Sequence, residues 1–487
     1  NNTNNIKYEL DNGYFVATFT NIGAKLESLF IKAENVHPPL VDFSSFDKFT
    51  LIPFSLKRQT ANEIVFVARL DNIEIIKTFS VEGQYVIKSA IQVTNNSDKR
   101  ISFGGNVKAF RIDVSHETLK KKGYFDNANA SRNGMLNEYA IKIGNKIIRK
   151  NNANVFKDKH NKSEMLENVE WIAFRDRHFC SIVKPLDPVK GYQTSVNSEK
   201  MLDLYFLNDN PSIDPGAELR FGTEIFIGPQ EVDVLKKFGS FRDIVSYKIG
   251  GFFDIFALGL GDPAAKGILI LLKIIKNLIH SWGFSIIIVA LFICGITYPL
   301  TLKSMRSMKK VQAFQPEMAK IKEKHKNNPQ KMNQEMMEFY KKHKINPLGG
   351  CLPMFFQMPL FYGVIQLLWR YVGFRGESFL WIKDLSEPDR LFILSVNLPV
   401  LGNEINILPI IVFVLAIFQQ KFSGKNVNVS DPNQALQMKM MRIMFPAMII
   451  LFFYRFASAM ALYFTIYYSF STFTQWKMSK EQNVVVS

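Results

Sequence analysis

Asn346–Phe361 reads NPLGGCLPMFFQMPLF. It lies inside Ile345–Trp369, a stretch with no Asp, Glu, Lys or Arg. A helix that crosses a bilayer needs about 20 apolar residues, and this run is long enough. Pro347, Pro353, Pro359 and Gly349-Gly350 shape where that helix starts and bends.

Three further charge-poor stretches surround it. Asn277–Thr301 and Ile405–Gln420 carry no charge, and Ile443–Trp476 is interrupted only by Arg455. The last is too long for one helix, and Phe456–Ala459 (FASA) can turn a tight hairpin within it. Five spans follow, at about 282–302, 348–371, 405–423, 439–455 and 459–477. The loops set their direction. Segment 303–344 holds 12 Lys+Arg against 4 Asp+Glu, 373–404 holds 3 against 5, and 421–442 holds 4 against 1. Lys/Arg-rich loops stay in the cytoplasm. Segments 303–346 and 421–442 and a short tail at 478–487 are therefore expected inside, and residues 1–280 outside. NNTNNIKYEL has neither the basic nor the apolar region of an export signal, so a signal segment is expected upstream of residue 1.

The chain has 487 residues, a net charge of +17 and a mean hydropathy of +0.00. A mean near zero in a chain that is 21% charged points to apolar stretches joined to a polar domain. It excludes a disordered or collagenous chain. Cys180, Cys294 and Cys351 are too far apart for a disulfide framework or a zinc site. The basic excess follows the apolar runs: residues 1–230 carry a net +3 and the remainder +14. That pairing suits a membrane better than nucleic acid.

Residues 1–230 read as an antiparallel β-sandwich. YFVATFT, EIVFVARL, IEIIKTFSV, YVIKSAIQV and LRFGTEIFI are rich in β-branched and aromatic residues. They are punctuated by turn signals such as Asp11-Asn12-Gly13 and Asn95-Asn96-Ser97. His37, His116, His160 and His178 lack metal-ligand spacing, and no GxSxG or Walker A motif occurs. Arg175-Asp176-Arg177-His178 is expected to be a solvated turn, and Lys120-Lys121-Lys122 an exposed loop.

Segment 231–281 reads as a linker followed by a helix lying in the membrane interface. Lys273, Lys276, Asn277 and His280 share one helical face and Ile and Leu fill the other. In 303–346, Asn327-Asn328-Pro329 divides a strongly helical stretch into a hairpin. Met305, Met308, Met336 and Met337 suit either its seam or a promiscuous apolar contact. Lys309, Lys310, Lys322 and Lys324 suit anionic lipid, the ribosome or a targeting particle.

Four stretches resemble the YidC membrane-protein insertases. They are Trp282–Thr301 (WGFSIIIVALFICGITYPLT), Gln334–Phe361, Leu380–Asp389 (LWIKDLSEPD) and Asp431–Phe453. Phe226–Phe238 resembles the end of the large outer domain of the diderm bacterial form. The resemblance implies an inner-membrane protein with a periplasmic sandwich like those of sugar-processing enzymes. It implies a five-helix core, 282–477, that inserts and folds membrane proteins through a hydrophilic groove open to the cytoplasm and the lipid. It implies no nucleotide hydrolysis, no cofactor and no enzyme activity. The partners implied are nascent membrane proteins and, in some settings, the Sec translocon; the expected working form is a monomer. A wet groove lowers the cost of moving polar groups through hydrocarbon.

Groove candidates are polar residues on the spans: Cys294, Thr297, Gln357, Arg455, Ser458 and Tyr463, with Gln366, Thr465 and Tyr467 beside them. Gln357 and Tyr463 lie on matched motifs, whereas Gln366 and Tyr467 suit helix–helix hydrogen bonds. Two departures from the family pattern stand out. The family's groove Arg is replaced by Cys294, and its Trp-Phe-Pro-Ser-Gly turn reads Arg455-Phe456-Ala457-Ser458-Ala459. Arg455 is a poor replacement for the lost charge. Cys294 lies roughly 18 Å into its span at 1.5 Å per residue, and Arg455 closes the outer end of its own, where it can snorkel. Other function classes are a transporter or channel, or a membrane-anchored glycan-binding protein. A transporter predicts ionisable groups within spans and often paired repeats; this sequence has neither an internal repeat nor a carboxylate in any span.

Overall fold

In Ile73–Glu82, Ile75 and Phe79 are buried and their neighbours are half-exposed, the period of a strand with one face on a core. A similar alternation marks Phe15–Thr20 and Val86–Asn95. These strands belong to residues 1–245, the first of two compact units in the computed structural model; the second is 246–487. The structure describes residues 5–32, 35, 49–102, 106–113, 138–151, 162–164, 168–196, 201–207, 212–247, 260–326, 328–343, 352–398, 402–423, 440, 444, 446–448, 450 and 453–485. Lys120-Lys121-Lys122, His37, His116, His160 and Cys351 lie outside these.

The first unit is an antiparallel sandwich. Its main sheet has nine strands, in the spatial order Lys146–Asn151, Glu138–Ile143, Val169–Arg175, Phe179–Pro185, Glu218–Pro229, Val86–Asn95, Ile73–Glu82, Glu63–Leu70 and Ser55–Gln59. A four-stranded sheet (Lys162–Glu164, Gly191–Val196, Met201–Leu207, Asn106–Asp113) and a three-stranded meander (Lys7–Asp11, Phe15–Thr20, Lys25–Ile31) complete it. Every pair of these strands is antiparallel. Phe15, Phe19, Phe66, Trp171, Phe179, Phe206 and Phe226 are fully buried. Burying an aromatic of this size contributes about 1.5–3 kcal/mol. The first hairpin closes as its sequence predicts. The Asn12 side-chain oxygen accepts from Tyr14 N and Phe15 N, at 3.0 and 2.8 Å, and Gly13 takes φ +84°.

Several charged residues of this unit are buried, among them Lys77 and the run Arg175–His178. Lys77 sits on the inward face of its strand, donates to the Gly23 carbonyl and lies over the Phe54 ring. Arg175-Asp176-Arg177-His178 is not a solvated turn: all four residues are 5% exposed or less. The tight link between Val169–Arg175 and Phe179–Pro185 is held by Asp176 Oδ1, which accepts from His178 N and Phe179 N, both at 2.7 Å. Gln230 donates to the Asp176 and Phe179 carbonyls. The buried side chains then reach the end of the unit. Arg175 pairs with Glu138 at 2.6 Å and donates to the Ile244 carbonyl; Arg149 pairs with Glu138 at 2.7 Å and donates to the Asp243 carbonyl. Lys142 pairs with Asp243 at 2.8 Å. This network fastens the irregular helical segment 232–244 to the main sheet. Burial also pushes the Cys180 thiol up, so it stays protonated and inert.

The second unit is helical. We number its helices α1 (Gly261–Ile279), α2 (Trp282–Ala313), α3 (Gln315–Lys324), α4 (Pro329–Lys342), α5 (Leu352–Arg370), α6 (Ile407–Ser423) and α7 (Ser458–Val485). Between α6 and α7, residues 440, 444, 446–448, 450 and 453 are also helical. Among the described residues, Trp282–Ser307 is long and apolar enough to cross a membrane, and Ile407–Phe422 is a shorter apolar helix. A two-stranded hairpin, Phe392–Leu398 with Gly402–Ile405, stands between α5 and α6.

Candidate functional site

Helices α2, α5 and α6 each contact α7. Tyr298 of α2 meets Phe470 edge-on at 5.8 Å, and Phe361 of α5 meets Phe464 at 5.4 Å. On the α6 side, Gln419 donates to the Ser471 hydroxyl at 2.7 Å and Thr472 to the Leu415 carbonyl at 3.3 Å. Burial along α7 is graded. Ser458 through Phe464 are each 6% exposed or less, whereas Thr465 through Tyr468 are half-buried and Ser469 is exposed.

At the step in that gradient four polar side chains from three helices converge. Tyr463 and Tyr467 are four residues apart and share one face of α7. Gln357 of α5 donates to the Tyr467 hydroxyl at 3.1 Å. Cys294 of α2 lies near both tyrosines. Cys294 and Tyr463 are buried, at 3% and 5%, and Gln357 and Tyr467 are half-buried. Thr297, one turn along α2, spends its hydroxyl on its own helix, donating to the Ile293 and Cys294 carbonyls at 2.9 and 3.2 Å. Pro299 follows it and has no N–H for the Gly295 carbonyl, so this part of α2 is locally loosened.

Ser458 and Arg455 are not in this group. They belong to the turn that leads into α7, where the polypeptide 384–390 closes over it. Ser458 N donates to the Glu387 carbonyl and Ala459 N to that of Leu385, at 2.7 and 2.9 Å, while the Ser458 hydroxyl donates to the Asp384 carbonyl at 3.1 Å. Asn406 donates to the Tyr454 carbonyl at 2.8 Å, and the Tyr454 hydroxyl to the Glu404 carbonyl at 2.7 Å. Arg455 is half-buried in the same turn. Gln366 is 2% exposed, and its side-chain carbonyl has no hydrogen-bond partner among the described residues. Thr465 back-bonds to Ala461.

The basic region opens differently from its sequence reading. Helix α2 continues through Lys303 as far as Ala313, so the apolar helix and the first basic turns are one rod, and the chain breaks at Phe314 before α3. Asn328 caps α4, its side chain accepting from Lys331 N at 3.1 Å, with Pro329 in the first turn. Phe314, Phe339 and His343 stack into the seam between these helices. Glu335 holds Lys324 at 3.0 Å and contacts His325, and these partners keep its carboxyl below the usual range. Met305 and Met336 are half-buried, while Met337 and Lys324 are exposed. The side chains of Met308, Lys309, Lys310 and Lys322 lie outside the described set. No cluster of metal-ligating residues occurs among the described residues.

Helix α1 packs its Gly261, Ala265, Ile268, Leu269 and Leu272 face inward. An added Cβ at Gly363 of α5 would lie 2.8 Å from Ala265 N and 2.9 Å from the Gly261 carbonyl, so glycine permits this close approach. Ile270, Ile274 and Leu278 form a second, exposed apolar face. Lys273 lies over Tyr371 and Lys276 over Trp282.

Comparison with known proteins adds a family. Residues 31–260 match the family model described as the YidC periplasmic domain, and 274–484 match the one described as 60Kd inner membrane protein. The chain is similar to Membrane protein insertase YidC of Chloroherpeton thalassium, at 28% identity over 97% of this chain and 83% of that protein. It is similar to the protein of the same name from Chlorobium phaeovibrioides, at 27% over 96% and 82%. Among solved structures it is similar to YidC from Thermotoga maritima, at 14% identity, with 96% of each chain covered and a TM-score of 0.31. With both parts matched in order along one polypeptide, the chain belongs to the YidC family of inner-membrane proteins with a periplasmic domain.

Proposed function

We infer that this chain is a membrane-protein insertase. Its family and its relatives' names carry that much. The observation that supports a mechanism is the change in burial along α7, sealed from Ser458 to Phe464 and half-buried to exposed from Thr465 to Phe473, with Thr474 and Met478 buried again beyond it and with Gln357, Tyr463 and Tyr467 at the step.

In this reading α2, α5, α6, α7 and the helical residues between α6 and α7 are the five spans. The 384–390 segment, tied to Ser458 and Tyr454, closes the outer end. The half-buried inner part of α7 faces a groove open to the cytoplasm and the lipid. A polar segment entering that groove exchanges water for the hydroxyls of Tyr467 and Tyr463 and the Gln357 amide, which lowers the several-kcal/mol cost of each unpaired polar group in hydrocarbon. Selection is by hydrogen bonding and shape. Cys294 brings no fixed charge, and Arg455 stays at the outer turn. No cofactor or nucleotide is needed. Helix α1 rests in the outer interface with its Ile270–Ile274–Leu278 face toward lipid. The α3–α4 hairpin meets the ribosome, a targeting particle or anionic lipid through its lysines, and the chain works alone or beside the Sec translocon.

Complementation of an insertase-depleted bacterium tests this reading. The chain is expected to restore membrane insertion of small inner-membrane proteins. Failure of the well-expressed, membrane-integrated chain to restore any would refute it.

A further inference from the structure

The loop joining α5 to α6 carries an apolar surface that closure of the α7 end does not use. In the strand Phe392–Leu398, Phe392, Ile393 and Val396 are 62%, 70% and 68% exposed, and Leu394 is 37% exposed. Ile393 and Ser395 point to the opposite side of the strand from Phe392, Leu394 and Val396, so one face is bare apolar surface and the other exposes Ile393 beside an uncharged serine. The five residues FILSV carry no charge. Charges gather instead at the root, where Arg390 pairs with Glu404 at 2.9 Å and with Glu387 at 3.4 Å. A two-stranded hairpin is at best marginal in water unless something covers it.

The root fixes where that covering must be. Asp389 Oδ2 accepts from Ile407 N and Leu408 N, at 2.8 and 3.1 Å, so it caps the first turn of α6. It also accepts from Trp381 Nε1 at 3.3 Å. Arg390 N donates to the Asn406 side chain at 2.9 Å. The strands thus begin at the very end of α6. At about 3.3 Å per residue their tip reaches at most some 23 Å away. Beside the root, Leu380 is 73% exposed and the Trp381 ring 39% exposed. Tryptophan whose ring is apolar and whose N–H is bonded suits the membrane–water boundary.

We propose that this hairpin, with Leu380 and Trp381, is an anchor seated in the headgroup–acyl boundary of the outer leaflet. The proposal rests on the reading of α5 and α6 as membrane spans. The unpaired strand edges keep it shallow, because backbone groups in the hydrocarbon core would find no partner. Seated there, it holds the 384–390 closure level with the bilayer surface. A protein strand adding to the hairpin edge is the competing occupant. It would need an aqueous, accessible edge, and the charge-free residues on both faces fit lipid better.

The test uses the full chain reconstituted in phosphatidylglycerol–phosphatidylethanolamine vesicles, with an environment-sensitive fluorophore on Val396→Cys and, separately, on Ile393→Cys. The unsubstituted chain serves as the labelling blank, and a probe on Val414→Cys, an exposed position of α6, reports the span itself. The expected result is a blue-shifted hairpin probe, quenched by doxyl lipids labelled near the headgroup and shielded from aqueous iodide, with Val414 quenched by lipids labelled near the tail end. A quenched Val414 with hairpin probes open to iodide and untouched by lipid quenchers would overturn the anchor alone. Hairpin probes silent to both quenchers would overturn it in favour of a protein partner. An unquenched Val414 would overturn the span reading and the anchor with it.

Discussion

The Gln357 amide donates to the Tyr467 hydroxyl at 3.1 Å, and this bond ties α5 to α7 where α7 changes from sealed to open. Hydrogen bonds between membrane helices couple by about 0.6 kcal/mol on average and up to about 1.7 kcal/mol. A double-mutant cycle of Gln357→Leu and Tyr467→Phe, read by unfolding in micelles, is expected to give a coupling in that range. Insertion by either single variant is expected to fall further than so small a stability loss explains. Insertion that falls only in step with stability would leave the pair a purely structural tie.

Acid is expected to loosen the first unit through Glu138. Burial would raise its carboxyl, but the Arg175 and Arg149 guanidiniums beside it outweigh that and hold it below its usual 4.5. A depressed carboxylate contributes stability that is fully present above the unfolded-state value and is lost as pH falls through the folded one. Proteolysis of the full chain is therefore expected to open segment 232–244 only below about pH 4.5. Glu138→Gln is expected to remove this pH dependence and to cost about 3–5 kcal/mol at neutral pH, because buried Arg175 loses its carboxylate partner and half-buried Arg149 loses the same one.

Asp389 links three elements through one carboxylate oxygen, so its loss is local and readable. Asp389→Ala is expected to cost about 0.5–2 kcal/mol, the range for a lost helix cap. The amides of Ile407 and Leu408 should lose hydrogen-exchange protection, with those deep in α6 unchanged. Asp389→Asn, which keeps an acceptor, should retain most of the protection.

Gly363 sets the distance between α5 and α1. Gly363→Val drives a side chain into the Ala265 and Gly261 backbone, and overpacking of this kind costs about 1–3 kcal/mol. Exchange protection of amides 264–272 is expected to fall while that of α6 holds. Unchanged protection would show that the two helices do not rely on this contact.

How much of this was legible in the sequence differs by element. The strands of the first unit are, because β-branched residues alternating between turn signals have few other uses: EIVFVARL and IEIIKTFSV became Glu63–Leu70 and Ile73–Glu82. The buried Arg175–His178 cluster was not. Four consecutive ionisable residues read as a solvated turn, and the partners of Arg175, namely Glu138, Gln230 and Ile244, are distant in sequence. Composition marked Lys303 as the start of a new element, yet nothing local ends a helix there, and α2 runs on to Ala313. Gln357 and Tyr463 stood out on matched motifs. Tyr467 suits a helix–helix bond by its sequence, and its bond to Gln357 is one, but the identity of that partner needs the packing of α5 on α7. The Phe392–Leu398 hairpin left a weak signal, a short apolar run between two charge clusters.

The polar step on α7 is expected to be where the incoming chain is met. The direct measurement is site-specific photocrosslinking from Gln357 and Tyr463 of the intact protein to ribosome-bound nascent membrane proteins. Phe292, exposed on the outer side of α2, serves as the comparison. Strong nascent-chain adducts from Gln357, weaker ones from buried Tyr463 and few from Phe292 are expected. Adducts from Phe292 with none from Gln357 or Tyr463 would contradict the groove.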